Sequence, residues 1–214
     1  MARPPIASIL SLRERALVVL AFALLNTAVY LLSNAHPLHA PIALPRNALD
    51  QALGWHAWTI WPYWLLIALA PAMALCLRDR WIMATTLRAY ALALGINLAI
   101  WLSCPTTIAR PMSPDTLDPF TAGAWHLLYA IDAPNNCFPS GHVTIPVTIA
   151  AGLCAQHPAA RYWLWPLLAL LLPSVVTTGQ HTSWDVLGGL ATAAIGLLVF
   201  GRDLVTDPPL LWQE

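Results

Sequence analysis

Six apolar runs of 15 to 20 residues divide this sequence, and runs of that length favour a chain that lies in a membrane. Only 9% of the 214 residues are charged, whereas a soluble domain usually carries about 25%. So few charges cannot cover a water-facing surface. The runs occupy residues 16–32, 58–77, 85–104, 141–155, 162–178 and 184–201. We therefore predict an all-α polytopic membrane protein, with six transmembrane helices in one bundle and a single domain over residues 1–214.

Two of the runs depart from a simple lipid-facing helix. The first follows several arginines, as a signal peptide does, but it exceeds the typical signal core of about 7–15 residues. We expect it to be retained as a membrane helix, and a cleaved signal is the alternative. The fourth run is short, and Thr144, Pro146 and Thr148 interrupt it. We expect it inside the bundle, where neighbouring helices can satisfy its polar groups.

The arginines predict an orientation, because all ten basic residues are arginine and they are unevenly placed. Eight lie on one side of the predicted bundle: Arg3, Arg13, Arg15, Arg78, Arg80, Arg88, Arg161 and Arg202. Only Arg46 and Arg110 fall on the other side. The positive-inside rule then places both termini in the cytoplasm, and residues 105–140 and 179–183 in the periplasm of a bacterium. The net charge is zero and no basic block exists, which argues against a nucleic-acid partner.

The four cysteines do not have the spacing of a structural zinc site. Cys104 and Cys137 both fall on the predicted outer side, where an oxidising compartment permits a disulfide. Whether these two form a bridge or stay free is open from the sequence.

A histidine and an aspartate open the last apolar run. His181 and Asp185 are four residues apart, a spacing that on a helix places two side chains in contact. A carboxylate that holds one imidazole nitrogen makes the other nitrogen a better nucleophile or base. The alternative is a helix cap beside an interface histidine.

A second polar feature opens the fourth run. Pro139 and Ser140 are typical helix-start residues, and Gly141 allows a close approach of the backbone to a ligand. The start of a helix offers oriented N–H groups to a phosphate, and His142 would stand beside it as a proton donor. A structural interface histidine is the alternative for His142.

Arg110 and two polar residues before the fourth run complete the candidate set. A guanidinium can bind phosphate through two parallel hydrogen bonds, although Arg110 could equally extend along the membrane interface. Asp132 and Asn136 suit the hydroxyl groups of a lipid headgroup, and they suit a loop turn equally well. We keep all three as candidate substrate-binding residues.

Together these residues predict phosphoryl transfer without a metal cofactor. His181 would be the nucleophile, Asp185 its orienting carboxylate and His142 the acid and base. Arg110 and the N–H groups near Ser140 and Gly141 would stabilise the phosphoryl oxygens. The acidic residues are too few around these histidines to indicate a metal centre.

At these residues the sequence resembles the type 2 phosphatidic acid phosphatase superfamily. Arg110-Pro111 matches the end of its first motif, residues 139–142 match Pro-Ser-Gly-His, and His181 with Asp185 matches the third motif. The resemblance covers residues 85–200 or so, and it implies a catalytic core over about 85–201. It also implies six spans, a phosphohistidine intermediate and no cofactor.

Two departures from the family pattern narrow the expected activity. The family lysine would fall at Ser103 and the family arginine of the third motif at Val175. "NNCFPSGHV" and "TTGQHTSWDVLGGL" instead resemble the branch of inositolphosphorylceramide and sphingomyelin synthases. A site with fewer cations suits a phosphodiester, which carries one negative charge, better than a monoester.

The sequence thus predicts an inner-membrane lipid phosphotransferase or phosphatase whose site faces the periplasm and whose substrate is a membrane lipid. Two alternatives stay open. One is a plain lipid phosphate or prenyl pyrophosphate phosphatase, and the other is an inactive relative that binds lipid.

Overall fold

A computed structural model describes residues 9–110, 117–201 and 204, and most of these residues are helical. Helices α1 to α9 span, in chain order, Leu12–Ala35, Ala48–Leu53, Ile60–Leu75, Arg80–Ser103, Pro119–Ile131, Gly141–Gln156, Arg161–Leu171, Ser174–Thr177 and Ser183–Phe200. Single 3₁₀ turns at Ala57–Thr59 and Pro158–Ala160 precede α3 and α7. Two-residue strands β1, Ile42–Ala43, and β2, Thr106–Thr107, pair in parallel.

Five helical stretches in the described part of the chain are long and apolar enough to cross a membrane. They are Leu12–Ala35, Ala57–Leu75, Arg80–Ser103, Pro158–Thr177 and Ser183–Phe200. Five of the six predicted runs are therefore confirmed as candidate spans. Helix α6, which corresponds to the fourth run, has 16 residues and is shorter than a typical span of about 20. The predicted count of six spans is not confirmed, and Arg3, Pro111 and Arg202 lie outside the described residues.

Helix α6 lies inside the bundle, as the fourth run predicted. Most of its residues are buried, and its polar groups bond to neighbouring elements. The Thr144 hydroxyl is 3.0 Å from the Thr192 hydroxyl of α9, and it accepts a hydrogen bond of 3.1 Å from the Asn97 amide of α4. These contacts satisfy the polar groups that a lipid-facing helix would leave exposed.

Glycines allow the three central helices α4, α6 and α9 to pack closely. A β-carbon at Gly189 of α9 would lie 2.5 Å from the Ser140 carbonyl oxygen at the start of α6. A β-carbon at Gly196 would collide with the Ala89 backbone of α4, and one at Gly152 of α6 with the Thr86 side chain. Small residues of this kind permit close helix contacts where lipid supplies no hydrophobic driving force between helices.

The bundle has two distinct ends. At one, which we call the arginine end, the Leu10 N–H donates to the Arg78 carbonyl at 2.8 Å, and Arg80 pairs with Glu14 at 2.7 Å. The Gln156 amide at the end of α6 donates to the Cys76 carbonyl at this same end, 2.9 Å away. The opposite end, which we call the site end, contains the starts of α6 and α9. The arginines of the described helix ends thus gather at one end, as the sequence predicted.

Two parts of the fold differ from the sequence prediction. Residues 105–140 lie outside the six predicted runs, but they contain α5, whose first N–H groups are capped by the Asp118 carboxylate. Helix α5 is 13 residues long and buries Trp125 and Leu128. The fifth run is also broken, because α7 ends at Leu171, shortly before Pro173, which lacks the N–H needed to continue a helix.

The close contact at Gly189 is testable with a pair of alanine variants. We expect Gly189→Ala to lower the free energy of unfolding by about 1–3 kcal/mol, because the new methyl group would press on the Ser140 carbonyl. Gly95→Ala is the matched control, since Gly95 of α4 is exposed and a β-carbon added there would meet no atom within 4 Å. Alanine there should be neutral or should stabilise the helix by about 0.5–1 kcal/mol. Thermal unfolding in detergent measures both, and equal shifts for the two variants would contradict the packing described.

Candidate active site

Two histidines from distant parts of the chain meet at the site end. His142 is the second residue of α6, and His181 lies two residues before the start of α9. The His142 Nδ1 and His181 Nε2 atoms are 3.1 Å apart, a hydrogen-bond distance. The structure therefore brings together the two imidazoles that the sequence predicted to share a site.

A main-chain carbonyl orients the His181 ring. Its Nδ1 atom is 3.0 Å from the Cys137 carbonyl oxygen, and His181 is only 4% exposed. A carbonyl oxygen can only accept, so we assign the proton of a neutral His181 to Nδ1. The lone pair then lies on Nε2, which is the atom that faces His142. Nε2 is consequently the nitrogen available for nucleophilic attack.

Asp185 contacts His181 by a different route from the predicted one. The two residues were expected on one helical face, but His181 precedes Thr182, the N-cap of α9. Asp185 instead belongs to a capping box, in which its Oδ2 atom accepts from the Thr182 N–H at 2.6 Å. The same oxygen lies 3.6 Å from His181 Nδ1, too far for a good hydrogen bond and close enough for a strong electrostatic interaction.

The Asp185 carboxylate is therefore both the helix cap and the charged neighbour of His181. Its Oδ1 atom is buried and has no hydrogen-bond partner among the described residues. The cap interpretation fits this geometry, and Asp185 places its charge beside His181 without the predicted orienting hydrogen bond.

A tyrosine that the sequence analysis missed contacts the other side of His142. The Tyr63 hydroxyl of α3 lies 3.2 Å from His142 Nε2, and Tyr63 is fully buried. Because His142 Nδ1 faces the unprotonated nitrogen of a neutral His181, Nδ1 carries the proton and Nε2 accepts from the tyrosine. One directed chain of hydrogen bonds then runs from Tyr63 through His142 and His181 to the Cys137 carbonyl.

Helix α6 begins where the sequence predicted, but the predicted N-cap residue does not cap it with its side chain. Ser140 is the N-cap residue, but its side chain does not cap the helix. Its Oγ atom is buried without a partner among the described residues, and its N–H donates to the Asp185 carbonyl at 3.0 Å. The first N–H groups of any helix lack an intrahelical acceptor, and here they stand beside His142.

Protein packing does not by itself require glycine at position 141. A β-carbon there would lie 3.5 Å from the Trp101 ring, an ordinary contact distance. The predicted role of Gly141 in letting a phosphate approach the backbone stays a prediction.

Arg110 lies among polar and aromatic side chains near His181. Its Nη2 atom donates to the Gln180 side-chain oxygen at 3.0 Å and is 3.8 Å from Asp132 Oδ2. Its guanidinium also lies 4.8 Å from the centre of the Tyr129 ring, a cation–π distance. The buried Nε atom has no partner among the described residues, so the guanidinium retains a donor for a further ligand.

Asp132 is held by helix α1. Its Oδ1 atom accepts from the Tyr30 hydroxyl and from the Asn34 amide, both at 2.7 Å. Burial raises the pKa of the Asp132 carboxyl, while the Tyr30 hydrogen bond and the Arg110 charge act in the opposite direction. Asp132 Oδ2 lies 3.8 Å from Arg110 Nη2, so the carboxylate partly compensates the Arg110 charge.

Asn136 has the backbone conformation of a turn residue. Its φ angle is 54°, in the left-handed region, and its amide donates to the Ser33 hydroxyl at 2.7 Å. The turn interpretation fits this geometry, and the side chain ties the loop to α1. Its role in headgroup binding stays a prediction.

The disulfide that the sequence permitted is not formed. Cys104 and Cys137 are both free, with Cys104 exposed and Cys137 buried. Burial raises the pKa of the Cys137 thiol, which keeps it protonated and unreactive. Within the described ranges, no group of three histidine, cysteine or acidic side chains could hold a metal ion.

An apolar groove begins at His142 and extends toward the arginine end. We call it the α1 groove, because one wall is α1 and the others are α3, α4 and α6. Its volume is about 550 Å³, within the range of about 300–1,000 Å³ that is common for ligand pockets. The part of the groove nearest the site end is lined by Tyr30, Tyr63, Trp101, Asp132 and His142.

Residues 47–56, which precede α3, support the loop that carries His181. The buried Asp50 carboxylate accepts from the Ser183 N–H at 2.7 Å and from the Asn47 N–H at 3.0 Å. The Asn47 amide also donates to the Ser183 hydroxyl at 2.6 Å. The start of α9, and with it His181, is thereby attached to a segment far away in sequence.

Comparison of this chain with protein-family models, curated proteins and solved structures found no match.

The support from Asp50 is testable by comparison with an exposed cap. Asp50→Ala would leave the buried Ser183 N–H and the half-buried Asn47 N–H without partners, and we expect the free energy of unfolding to fall by about 2 kcal/mol or more. Asp118→Ala is the matched control, because Asp118 caps α5 on the exposed surface and its loss should cost about 1 kcal/mol. Chemical unfolding followed by tryptophan fluorescence measures both. A smaller loss for Asp50→Ala than for Asp118→Ala would show that the residue 47–56 segment does not support α9.

Proposed function

We propose that this chain is a membrane lipid phosphotransferase or phosphatase that works through a phosphohistidine on His181. The observation that carries the proposal is the facing pair of imidazoles, 3.1 Å apart, at the head of an apolar groove. The resemblance of residues 139–142, His181 and Asp185 to phosphatidic acid phosphatase motifs supports it. In this proposal α6 also crosses the membrane and brings the number of spans to six. Both termini are then cytoplasmic, and the site faces the periplasm from a bacterial inner membrane.

The first step is attack on the lipid phosphorus. The lone pair on His181 Nε2 forms a nitrogen–phosphorus bond while the bond from phosphorus to the leaving oxygen breaks. Binding of the anionic phosphate lets His142 hold a second proton, on Nε2, so that its ring is an imidazolium. His142 Nδ1 then gives its proton to the leaving oxygen, which departs as an alcohol, and the ring stays neutral with its proton on Nε2. The phosphorylated ring keeps its Nδ1 proton on the Cys137 carbonyl, and the Asp185 carboxylate at 3.6 Å stabilises the positive charge that develops.

The second step returns His181 to its starting state. His142 Nδ1, now unprotonated, takes the proton from an acceptor hydroxyl as that oxygen attacks phosphorus. The nitrogen–phosphorus bond breaks, and both histidines regain the protonation with which they began. Water as the acceptor gives a phosphatase, and a lipid or sugar hydroxyl gives a transferase.

Ser103 and Val175 occupy the positions of the family lysine and arginine. The absence of these two cations favours a phosphodiester substrate, and therefore transfer of a phospho-headgroup to a second molecule. Ser103 is exposed, and its hydroxyl donates to the Ala99 carbonyl of its own helix at 2.7 Å. Val175 is completely buried and apolar. Arg110 and the N–H groups at the start of α6 then bind the phosphoryl oxygens alone, which suits a group of one negative charge.

Substrate entry requires the two rings to separate. At 3.1 Å the nitrogens contact each other directly, so a phosphoryl group between them displaces one ring. His142 is the ring with room to move, because it is half-buried and lines the α1 groove, whereas His181 is fixed by the Cys137 carbonyl. The resting contact therefore closes the site until a phosphate enters.

Variants of the two histidines test the proposal. We expect His181→Ala to lower turnover by about a thousandfold or more and to abolish the phosphoenzyme, and His142→Ala to lower turnover by about 10²- to 10⁴-fold. The control is His39→Ala, because His39 is exposed and outside the site. Purified protein is incubated with a panel of membrane lipids, with and without acceptor alcohols. Lipid mass spectrometry then follows the products, and the phosphoenzyme is trapped as an acid-labile label.

The products separate the alternatives. Release of inorganic phosphate without an acceptor would indicate a phosphatase, and headgroup exchange between lipids would indicate a transferase. Turnover by His181→Ala at the wild-type rate would refute a phosphohistidine on this residue. Unchanged lipid affinity in that variant, with no turnover in the wild type, would indicate a lipid-binding protein.

Tyr63→Phe tests the hydrogen bond to His142 Nε2. The phenyl ring keeps the packing, and the lost hydroxyl removes one neutral hydrogen bond worth about 0.5–1.5 kcal/mol. We expect kcat to fall about threefold to tenfold with little change in KM, because the bond orients the proton donor rather than the substrate. Tyr162→Phe is the control, since Tyr162 is exposed on α7. The pH–rate profile should change in Tyr63→Phe and not in Tyr162→Phe. The same profile in the wild type and both variants would show that Tyr63 has no part in the mechanism.

A further inference from the structure

The α1 groove has one polar end and one apolar end. The lining beside the site includes Tyr63, Asp132 and His142. The lining toward the arginine end is apolar and includes Val19, Phe22, Ala70, Ala74 and Ile149. Asn26 is polar and lies between these regions, but its side-chain oxygen already accepts from the Tyr90 hydroxyl. A ligand that complements this lining has a polar head at the histidines and an apolar body below it.

The length of the groove matches one leaflet of a bilayer. Eleven residues separate Tyr63 from Ala74 along α3, and eleven separate Val19 from Tyr30 along α1. At 1.5 Å per residue each wall is about 16 Å long. Half of a hydrocarbon core of about 30 Å is about 15 Å, so the groove accommodates a chain that reaches the bilayer midplane.

The groove opens sideways along α1. Ala23, Thr27 and Leu31 line it and are nevertheless exposed, as is Pro71 of α3. Helix α1 is attached near its ends, where Arg15 donates to the Leu75 carbonyl and Asn34 donates to Asp132, and near its middle through Asn26, while these groove-lining residues stay exposed. A chain that belongs to a lipid of the bilayer can therefore enter from the side without leaving an apolar environment.

We propose that the α1 groove binds one hydrocarbon chain of the lipid whose phosphate reacts at His181, with its end at the level of Val19 and Ala74. This inference rests on the proposed function for the identity of the head and on the groove for the chain. A second chain of the same lipid stays in the bilayer, because the groove is as long as one chain and the outer face of α1 is exposed to lipid.

The groove selects by length and shape rather than by hydrophobicity. A chain that moves from bilayer to groove exchanges one apolar surrounding for another, so little free energy comes from the transfer itself. Contacts with the walls are made only by a chain that fits, and a chain longer than the groove would run into the core at the buried Ala74. Chain length is thus the property that the groove can recognise.

Photo-crosslinking tests this site separately from catalysis. The probe is phosphatidylglycerol with a diazirine near the end of one acyl chain, in phosphatidylcholine vesicles that contain the full-length His181→Ala protein, which should not turn the probe over. We expect labelling at the groove floor, at Val19, Phe22, Ala70 and Ala74. Ala23→Phe should lower this labelling by about tenfold, because the ring narrows the groove at its exposed wall.

Ala21→Phe is the matched control, because Ala21 is exposed on the same helix and does not line the groove. The Ala21→Phe variant should be labelled at the groove floor to the same extent as the His181→Ala protein without it. Labelling spread over exposed residues such as Leu170 and Leu198, with no excess at the floor, would overturn the chain site. In active protein, groove labelling without a phosphoenzyme would refute the proposed function alone. A phosphoenzyme without groove labelling would refute this inference alone.

Discussion

The backbone hydrogen bond from the Ser140 N–H to the Asp185 carbonyl joins the starts of α6 and α9, and the position of both histidines depends on it. His142 follows Ser140 by two residues and His181 precedes Asp185 by four. The bond is possible only because Gly189 lets α9 approach the Ser140 carbonyl. Helix packing, rather than the conformation of one loop, therefore sets the distance between the imidazoles.

The candidate site divides two tasks that a single carboxylate often performs. The Cys137 carbonyl orients the His181 ring, and Asp185 supplies charge from 3.6 Å away. The negative charge of Asp185 is itself stabilised by the Thr182 N–H and by its place in the first turn of α9. A carboxylate that is held by the helix start can stay in place when His181 becomes cationic in the proposed reaction. This arrangement suits a nucleophile that gains positive charge during the reaction.

Much of the fold could be predicted from the sequence, and the limits have physical causes. Apolar runs located the long helices, and the threonines of the fourth run correctly indicated a buried helix. Helix α5 was missed because its apolar segment, at 13 residues, is much shorter than the run of about 20 that indicates a span, and its burial depends on tertiary contacts of Trp125 and Leu128. The break before Pro173 was a local signal that was available and was overlooked.

The candidate site could be predicted only in part, for related reasons. His142, His181 and Asp185 stood out because they are polar residues at the mouths of apolar runs. Tyr63 did not stand out, since a tyrosine near the end of a membrane helix is ordinary at the interface. The Cys137 carbonyl could not be found at all, because every residue has a carbonyl and only the fold selects one. The helical spacing rule even gave the right contact between His181 and Asp185 for the wrong reason.

The α1 groove and the histidine pair together suggest how a weakly charged site can position a phosphate. Arg110 contacts Gln180, which directly precedes His181, and Asp132 partly compensates its charge. Electrostatic attraction alone would hold a singly charged headgroup loosely, with little control of direction. A chain fixed in the groove has already lost its freedom to rotate and translate, so the phosphate at its head arrives at His142 with few degrees of freedom left. Apolar contacts far from the phosphate then orient it, as two further cations would otherwise do. Unlike cations, these contacts do not also attract free anions that would compete with the lipid. In the proposed function, the absence of a lysine at position 103 and an arginine at position 175 then fits a singly charged phosphodiester that is held by its hydrocarbon chain as well as by charge.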